Sequence, residues 1–134
     1  MIPQKIVCMG DSLTEGYGIK LDSDWPSLLE KTIDHNFINS GISGDTTAGM
    51  LARFQHMVID HKPDYVIIMG GANDISLDIP ENQIIGNILA MTRLARYHNI
   101  QSIIGIPPPF FQSNHNEDDS MFIKLPVFEN RLVK

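Results

Sequence analysis

Apolar positions in this chain alternate between two rhythms. Short continuous apolar or small-residue runs of strand length (Lys5 to Met9, Phe37 to Asn39, Tyr65 to Met69 and Ser102 to Ile106) each pass into a loop of glycine, serine, asparagine or proline. Stretches with helical spacing lie between them. Trp25 to Ile33 is the first, with Asp24 placed to cap it and Pro26 tolerated in its first turn. Leu51, Phe54, Met57 and Val58 mark the second, and Ile84, Ile88, Met91, Leu94 and Ala95 the third. Tyr65-Val66-Ile67-Ile68-Met69 is apolar throughout, as a strand buried on both faces must be. Pro107-Pro108-Pro109 ends the fourth strand, because proline has no amide to donate to a sheet ladder.

Strands alternating with helices predict an α/β fold: a parallel sheet with right-handed crossovers and helices on both faces, a three-layer α/β/α arrangement of flavodoxin-like type. In such a sheet every strand delivers its following loop to one carboxyl edge, where open α/β sheets place their ligands. Ser12, Gly44, Asn73 and the segment from Pro107 to Phe111 are therefore expected to converge. Beyond Phe111, the polar, acidic stretch from Gln112 to Ser120 reads as an exposed loop, and Ile123 to Lys134 as the beginning of a helix.

Composition narrows the functional classes. The 134 residues, 43% of them hydrophobic and 19% charged, suffice for one domain with a packed core. Ten Lys plus Arg against sixteen Asp plus Glu leave a net charge of -6 with no basic cluster, which argues against nucleic acid as a partner. No apolar run approaches the roughly 20 residues of a membrane span, and the first residues carry no signal-peptide core, so the expected location is the cytoplasm. Cys8, the single cysteine, falls inside the first apolar run and reads as a small core residue.

The candidate chemistry starts at Gly10-Asp11-Ser12-Leu13-Thr14-Glu15-Gly16-Tyr17-Gly18, a serine presented just past the first strand. Acyl transfer by a serine needs a base for its proton and donors aimed at the developing oxyanion. The backbone amides of Ser12 and Gly44 and the carboxamide of Asn73 can supply such donors from three loops of the same edge. Asp11 and Asp45 read as loop organisers beside the substrate, with Arg53 a further organiser. Leu13, Ile75, Pro107 and Phe110 complete the candidate substrate-binding positions, and Leu77 and Ile79 suggest an apolar acyl pocket. No cofactor or metal is called for.

Gly10-Asp11-Ser12-Leu13, the glycine of Ser40-Gly41-Ile42-Ser43-Gly44-Asp45-Thr46, and Gly71-Ala72-Asn73-Asp74 together resemble the first three sequence blocks of the SGNH (GDSL-type) hydrolases, in order and in spacing. The nearest likeness is to the small esterase, thioesterase and lysophospholipase branch, and it covers roughly residues 5 to 110. It implies an ester or thioester hydrolase acting through an acyl-serine intermediate, with Ser12 as nucleophile and Ser12, Gly44 and Asn73 as oxyanion donors. Thr14 stands where the Gly-x-Ser-x-Gly elbow of the α/β-hydrolases places its second glycine, which separates the two families here.

The fourth block of that family, a late Asp-x-x-His, does not occur. Thr32, Arg53, Val58, Ala95 and Gln112 stand three residues before His35, His56, His61, His98 and His115. The chain therefore reads as an amino-terminal portion of such a domain, stopping before the family's last strand and helix, with little activity of its own. His115 is the one histidine considered as a substitute base. An uncovered sheet edge makes self-association an expectation. Two other readings stay open: a non-catalytic flavodoxin-like module binding phosphate or nucleotide through Ser40 to Thr47, although no Gly-x-x-x-x-Gly-Lys-Ser/Thr occurs, and an inactive fragment completed by a partner chain.

Overall fold

The structure, a computed structural model, describes residues 2–108. The segments from Gln112 to Ser120 and from Ile123 to Lys134, with Phe110 and His115, lie outside the described residues. Four strands, β1 (Lys5–Gly10), β2 (Asn36–Gly41), β3 (Tyr65–Met69) and β4 (Gln101–Ile104), form one parallel sheet in the order β2-β1-β3-β4. Register pairs Val7 with Ile38 on one side and with Val66 on the other, and Ile68 with Ile104.

Strand order fixes where the helices go. The chain steps from β1 outward to β2, then returns past β1 to β3, so right-handed crossovers put the first connection on one face and the later ones on the other. Helix α2 (Trp25–Thr32) makes the first connection, capped by Asp24, whose side chain accepts the Ser27 amide, and Pro26 sits in its first turn as the sequence predicts. Helices α3 (Thr47–Ala52) and α4 (Phe54–Met57), then a 3-10 turn at Ile59–His61, lead into β3, and α6 (Glu81–Tyr97) leads into β4. Val7 and Met9 of β1 and Val66 and Ile68 of β3 pack with Met50, Phe54, Ile84, Ile88, Met91 and Ala95 in one core. Cys8 points to the α2 face and is fully buried. Burial, with the charges of Asp24 and Glu30 adding to it, pushes its thiol up to about 12, so it is a packing residue and not a nucleophile.

Three features depart from the predicted elements. The helix expected through Leu51 and Val58 is two helices, because Arg53 between them takes φ -100°, ψ 7°. Gly10 to Gly18 and Gly70 to Asp74, read as loops, contain the short helices α1 (Ser12–Glu15) and α5 (Ala72–Ser76). Four or five residues are too few to show a helical period, which is why patterning missed them. Among the described residues, no helix is long and apolar enough to cross a membrane.

Phe54 is the largest fully buried side chain and seats α4 on the core. Phe54→Ala is expected to lower unfolding free energy by roughly 3–5 kcal/mol, through lost burial and the cavity left behind. Urea denaturation of the two proteins checks this, and an unchanged midpoint would contradict the packing described.

Candidate functional site

With strand order β2-β1-β3-β4, the chain leaves β1 toward β2 and leaves β3 the opposite way toward β4, so the carboxyl ends of β1 and β3 form the topological switch point of the sheet. The loops that carry Ser12 and Asn73 leave those two ends, and the loop with Gly44 follows β2 beside them. Three loops distant in sequence thus meet at one edge.

Ser12 opens α1 immediately beyond β1. Asp11, only 2% exposed, caps the helix: its Oδ1 accepts the Leu13 amide at 2.9 Å, and its carbonyl accepts the amides of Thr14 and Glu15 at 3.1 and 2.9 Å. Gly16, in the left-handed region at φ 90°, ends the turn. Ser12 and Leu13 are partly exposed at the edge. Among the described residues, neither the amide nor the hydroxyl of Ser12 has a hydrogen-bond partner.

The second loop starts when Ile42 donates its amide to the Gly10 carbonyl at 3.1 Å. Ser43 donates its amide to Glu15 Oε2 at 2.9 Å and its hydroxyl to the same oxygen. Gly44 is exposed with φ 78°, and no described residue accepts its amide. The Asp45 amide closes the turn onto the Ile42 carbonyl at 3.2 Å, and the Asp45 carbonyl accepts Asn73 Nδ2 at 2.9 Å. That bond occupies one of the two carboxamide hydrogens of Asn73 and leaves the other available. Asp74, fully buried, accepts the Thr47 amide at 2.9 Å and the Thr47 hydroxyl at 2.7 Å, while Asn87 of α6 donates to the Thr47 hydroxyl at 3.0 Å.

Arg53 binds these parts together. Its Nε meets Asp45 Oδ2 at 2.6 Å, its Nη1 donates to the Ser40 carbonyl at 2.8 Å, and its Nη2 donates to the Gly10 carbonyl at 2.9 Å. The ends of β1 and β2 and the loop after β2 are therefore held by one planar cation. Burial raises the Asp11 pKa; the Leu13 amide and its own amide pull the other way, and the charges of Asp45 and Asp74 add to the rise.

The expected substrate-side positions separate on inspection. Leu13, Asp45 and Pro107 stand at the carboxyl edge, and Leu77 is 66% exposed there. Asp11 faces into the structure as a helix cap. Ile75 packs into the core at 4% exposure, so its side chain is turned away from the edge. Glu15, Ser43, Thr47 and Asn87, unlike Asp74 of the third block, were not singled out by sequence reasoning. The first three lay in polar loops and Asn87 within the helical pattern of α6.

Three of the described histidines lie at the other edge: His35 immediately precedes β2 and its Nδ1 accepts the Gln4 amide, the His61 carbonyl accepts Lys5 Nζ at the start of β1, and His98 ends α6 just before β4. His56 is on α4, its ring 89% exposed and 3.8 Å from the Asp60 carboxylate. A six-residue strand such as β1 spans about 20 Å, beyond any side chain's reach. An open depression of about 510 Å³ also lies at this amino edge, lined by Asp60, Lys62 and His98 among others, and it is remote from Ser12.

The sequence matches the GDSL-like Lipase/Acylhydrolase family over residues 8–124. The chain belongs to that family. It is 36% identical over 115 residues to an arylesterase of Vibrio mimicus, covering 80% of this chain and 58% of that protein. To esterase TesA of Pseudomonas aeruginosa it is 31% identical over 115 residues, covering 80% and 57%. A solved structure of the lipolytic G-D-S-L family from Desulfitobacterium hafniense DCB-2 superposes with a TM-score of 0.87 at 27% identity, covering 97% of this chain and 70% of that one. The chain thus spans a little under three-fifths of the length of the two curated relatives.

Two substitutions test the geometry. Arg53→Met leaves the Asp45 carboxylate unpaired at 14% side-chain exposure and takes a donor from each of the Ser40 and Gly10 carbonyls, so a loss of roughly 3–5 kcal/mol in urea denaturation is expected. For Asp11, the folded pKa lies above the unfolded one, so its contribution to stability is complete below the unfolded value and is lost as pH rises through the folded value. Asp11→Asn, neutral throughout, should therefore gain stability relative to the parent as pH goes from acid to neutral. Denaturation of both proteins across that range measures the difference, and a pH-independent difference would contradict it.

Proposed function

We propose that this fold serves an esterase or thioesterase in which Ser12 is the nucleophile and the amides of Ser12 and Gly44 and the side chain of Asn73 hold the oxyanion. The observation supporting this reading is that three loops at one edge of the sheet carry the Ser12 and Gly44 amides, which no described residue accepts, and the Asn73 carboxamide, with one hydrogen given to the Asp45 carbonyl. In the reaction, Ser12 Oγ attacks the carbonyl carbon of the acyl group and the carbonyl electrons move onto oxygen. That oxygen takes hydrogen bonds from donors already in place, which need no reorganisation as the charge develops. Collapse of the intermediate breaks the bond to the alcohol or thiol, which leaves with a proton, and water then releases the acid from acyl-Ser12.

The proton of Ser12 goes to a base other than His35, His61 or His98, which stand at the far edge of the sheet, and other than His56, whose exposed ring on α4 lies beside the Asp60 carboxylate. The family resemblance assigns that base to an Asp-x-x-His block, which the 134 residues do not contain. A serine without its base reacts slowly with esters and with fluorophosphonates alike, so both turnover and covalent capture call for a protein that carries the Asp-x-x-His block. Leu13 and Leu77 present apolar surface, Pro107 being buried, and the names of the relatives agree with a carboxylic ester as substrate.

In a protein that carries the Asp-x-x-His block, a fluorophosphonate is expected to modify Ser12, located by peptide mass spectrometry, and to leave Ser12→Ala unmodified. Asn73→Ala should slow the modification about 10²- to 10³-fold, the usual cost of removing one oxyanion donor. Modification that persists in Ser12→Ala, or is indifferent to Asn73, would overturn the assignment.

A further inference from the structure

Glu15 lies one turn beyond Ser12 on α1, so the two side chains share a helix face. Its carboxylate does not point to solvent alone: Oε2 accepts both the amide and the hydroxyl of Ser43, the residue before Gly44. We propose that Glu15 is the positioning residue for the Gly44 amide, fixing the loop after β2 relative to the serine. This rests on the reading of Gly44 as an oxyanion donor.

The backbone that carries Glu15 is itself fixed. Helix α1 lies directly on Gly41 at the end of β2, where a Cβ would fall on the Glu15 backbone and come within 2.9 Å of the Asp11 carbonyl. Any side chain at that position would push α1 away and carry Glu15 out of reach of Ser43. Asn39 adds a second tie, donating Nδ2 to the Thr14 carbonyl at 2.7 Å. The glutamate thus projects from a rigid platform over the end of the strand.

Gly44 needs such support on its amino side. It occupies the left-handed region at φ 78°, has open space beside its Cα, and follows two exposed residues, Ile42 and Ser43. On its carboxyl side the chain is secured through Asp45, by Arg53 and by Asn73. On its amino side the bonds of Ser43 go to Glu15. The direction of the Gly44 N–H depends on the Ser43–Gly44 peptide plane, and charge-assisted bonds to a fixed carboxylate restrict the rotation of that plane. One carboxylate therefore couples the helix presenting the hydroxyl to the turn presenting a donor.

The test compares the parent chain with Glu15→Ala and Glu15→Gln, the second keeping an acceptor oxygen for Ser43. Amide hydrogen exchange by NMR should be about tenfold faster at Ser43 in Glu15→Ala, the lower end of what loss of a charged hydrogen bond produces, with the Gly44 resonance displaced and the amides of β1 and β3 unmoved. Glu15→Gln should recover most of the protection. Fluorophosphonate modification of Ser12, in a protein that carries the Asp-x-x-His block, should slow about tenfold in Glu15→Ala and recover in Glu15→Gln, with the urea midpoint little altered. Unchanged exchange at Ser43 and an unmoved Gly44 resonance in Glu15→Ala would overturn the proposal. So would a loosened loop with undiminished modification, or slowed modification with an intact loop. If Ser12 is not modified even in a protein that carries the Asp-x-x-His block, the serine-hydrolase reading fails, and the exchange comparison decides by itself whether Glu15 sets the loop.

Discussion

The site edge depends on a single guanidinium. Arg53 sits where α3 gives way to α4 and reaches the carbonyl ends of two adjacent strands as well as the Asp45 carboxylate. The Ser40 carbonyl takes one of its donors from this guanidinium, and the Gly10 carbonyl, which also accepts the Ile42 amide, takes another. A planar cation with five donors meets both and simultaneously neutralises a mostly buried carboxylate, which a lysine ammonium at the same place could not do. The break between α3 and α4 belongs to the same arrangement, since a continuous helix would not have Arg53 in this backbone conformation.

Around that cation the site is assembled from side chains that bond to the main chain of a different loop. Asn73 bonds the Asp45 carbonyl, Asp74 the Thr47 amide, and Glu15 the Ser43 amide. Each bond satisfies a backbone group that the loop itself could not pair, and each fixes the separation of two loops. Asn73 and Asp74 are adjacent yet turn opposite ways: one toward the open edge, the other into a buried network with Thr47 and Asn87. The same dipeptide thus serves the surface and the core.

Much of this was legible before any coordinates. Tyr65 to Met69 and Ile84 to Ala95 carried clear patterns, an uninterrupted apolar run and a helical period, although in β3 only Val66 and Ile68 are fully buried while Tyr65, Ile67 and Met69 are half-buried on the other face. Gly10 to Leu13, Gly44 and Gly71 to Asp74 were recognisable as one constellation because chemistry restricts their residue types. Glu15 and Ser43 were not recognisable, because an exposed glutamate and a loop serine are compatible with almost any surface; only their placement by Gly41 and α1 gives them a shared purpose. The inward turn of Ile75 was equally hidden, as an isoleucine near a site can face either way until the short helix α5 sets its direction.

The bonds that define the edge join residues far apart in the chain: 43 positions separate Arg53 from Gly10, 40 separate Asn87 from Thr47, and 28 separate Asn73 from Asp45 and Ser43 from Glu15. Closing spans of this length is entropically unfavourable until the intervening strands and helices are already packed. No isolated segment of the protein can therefore preform this edge, and no single loop can leave it without releasing partners in another. Its integrity reports on the folded state of the whole sheet, so the arrangement arises late in folding and is lost as one cooperative unit.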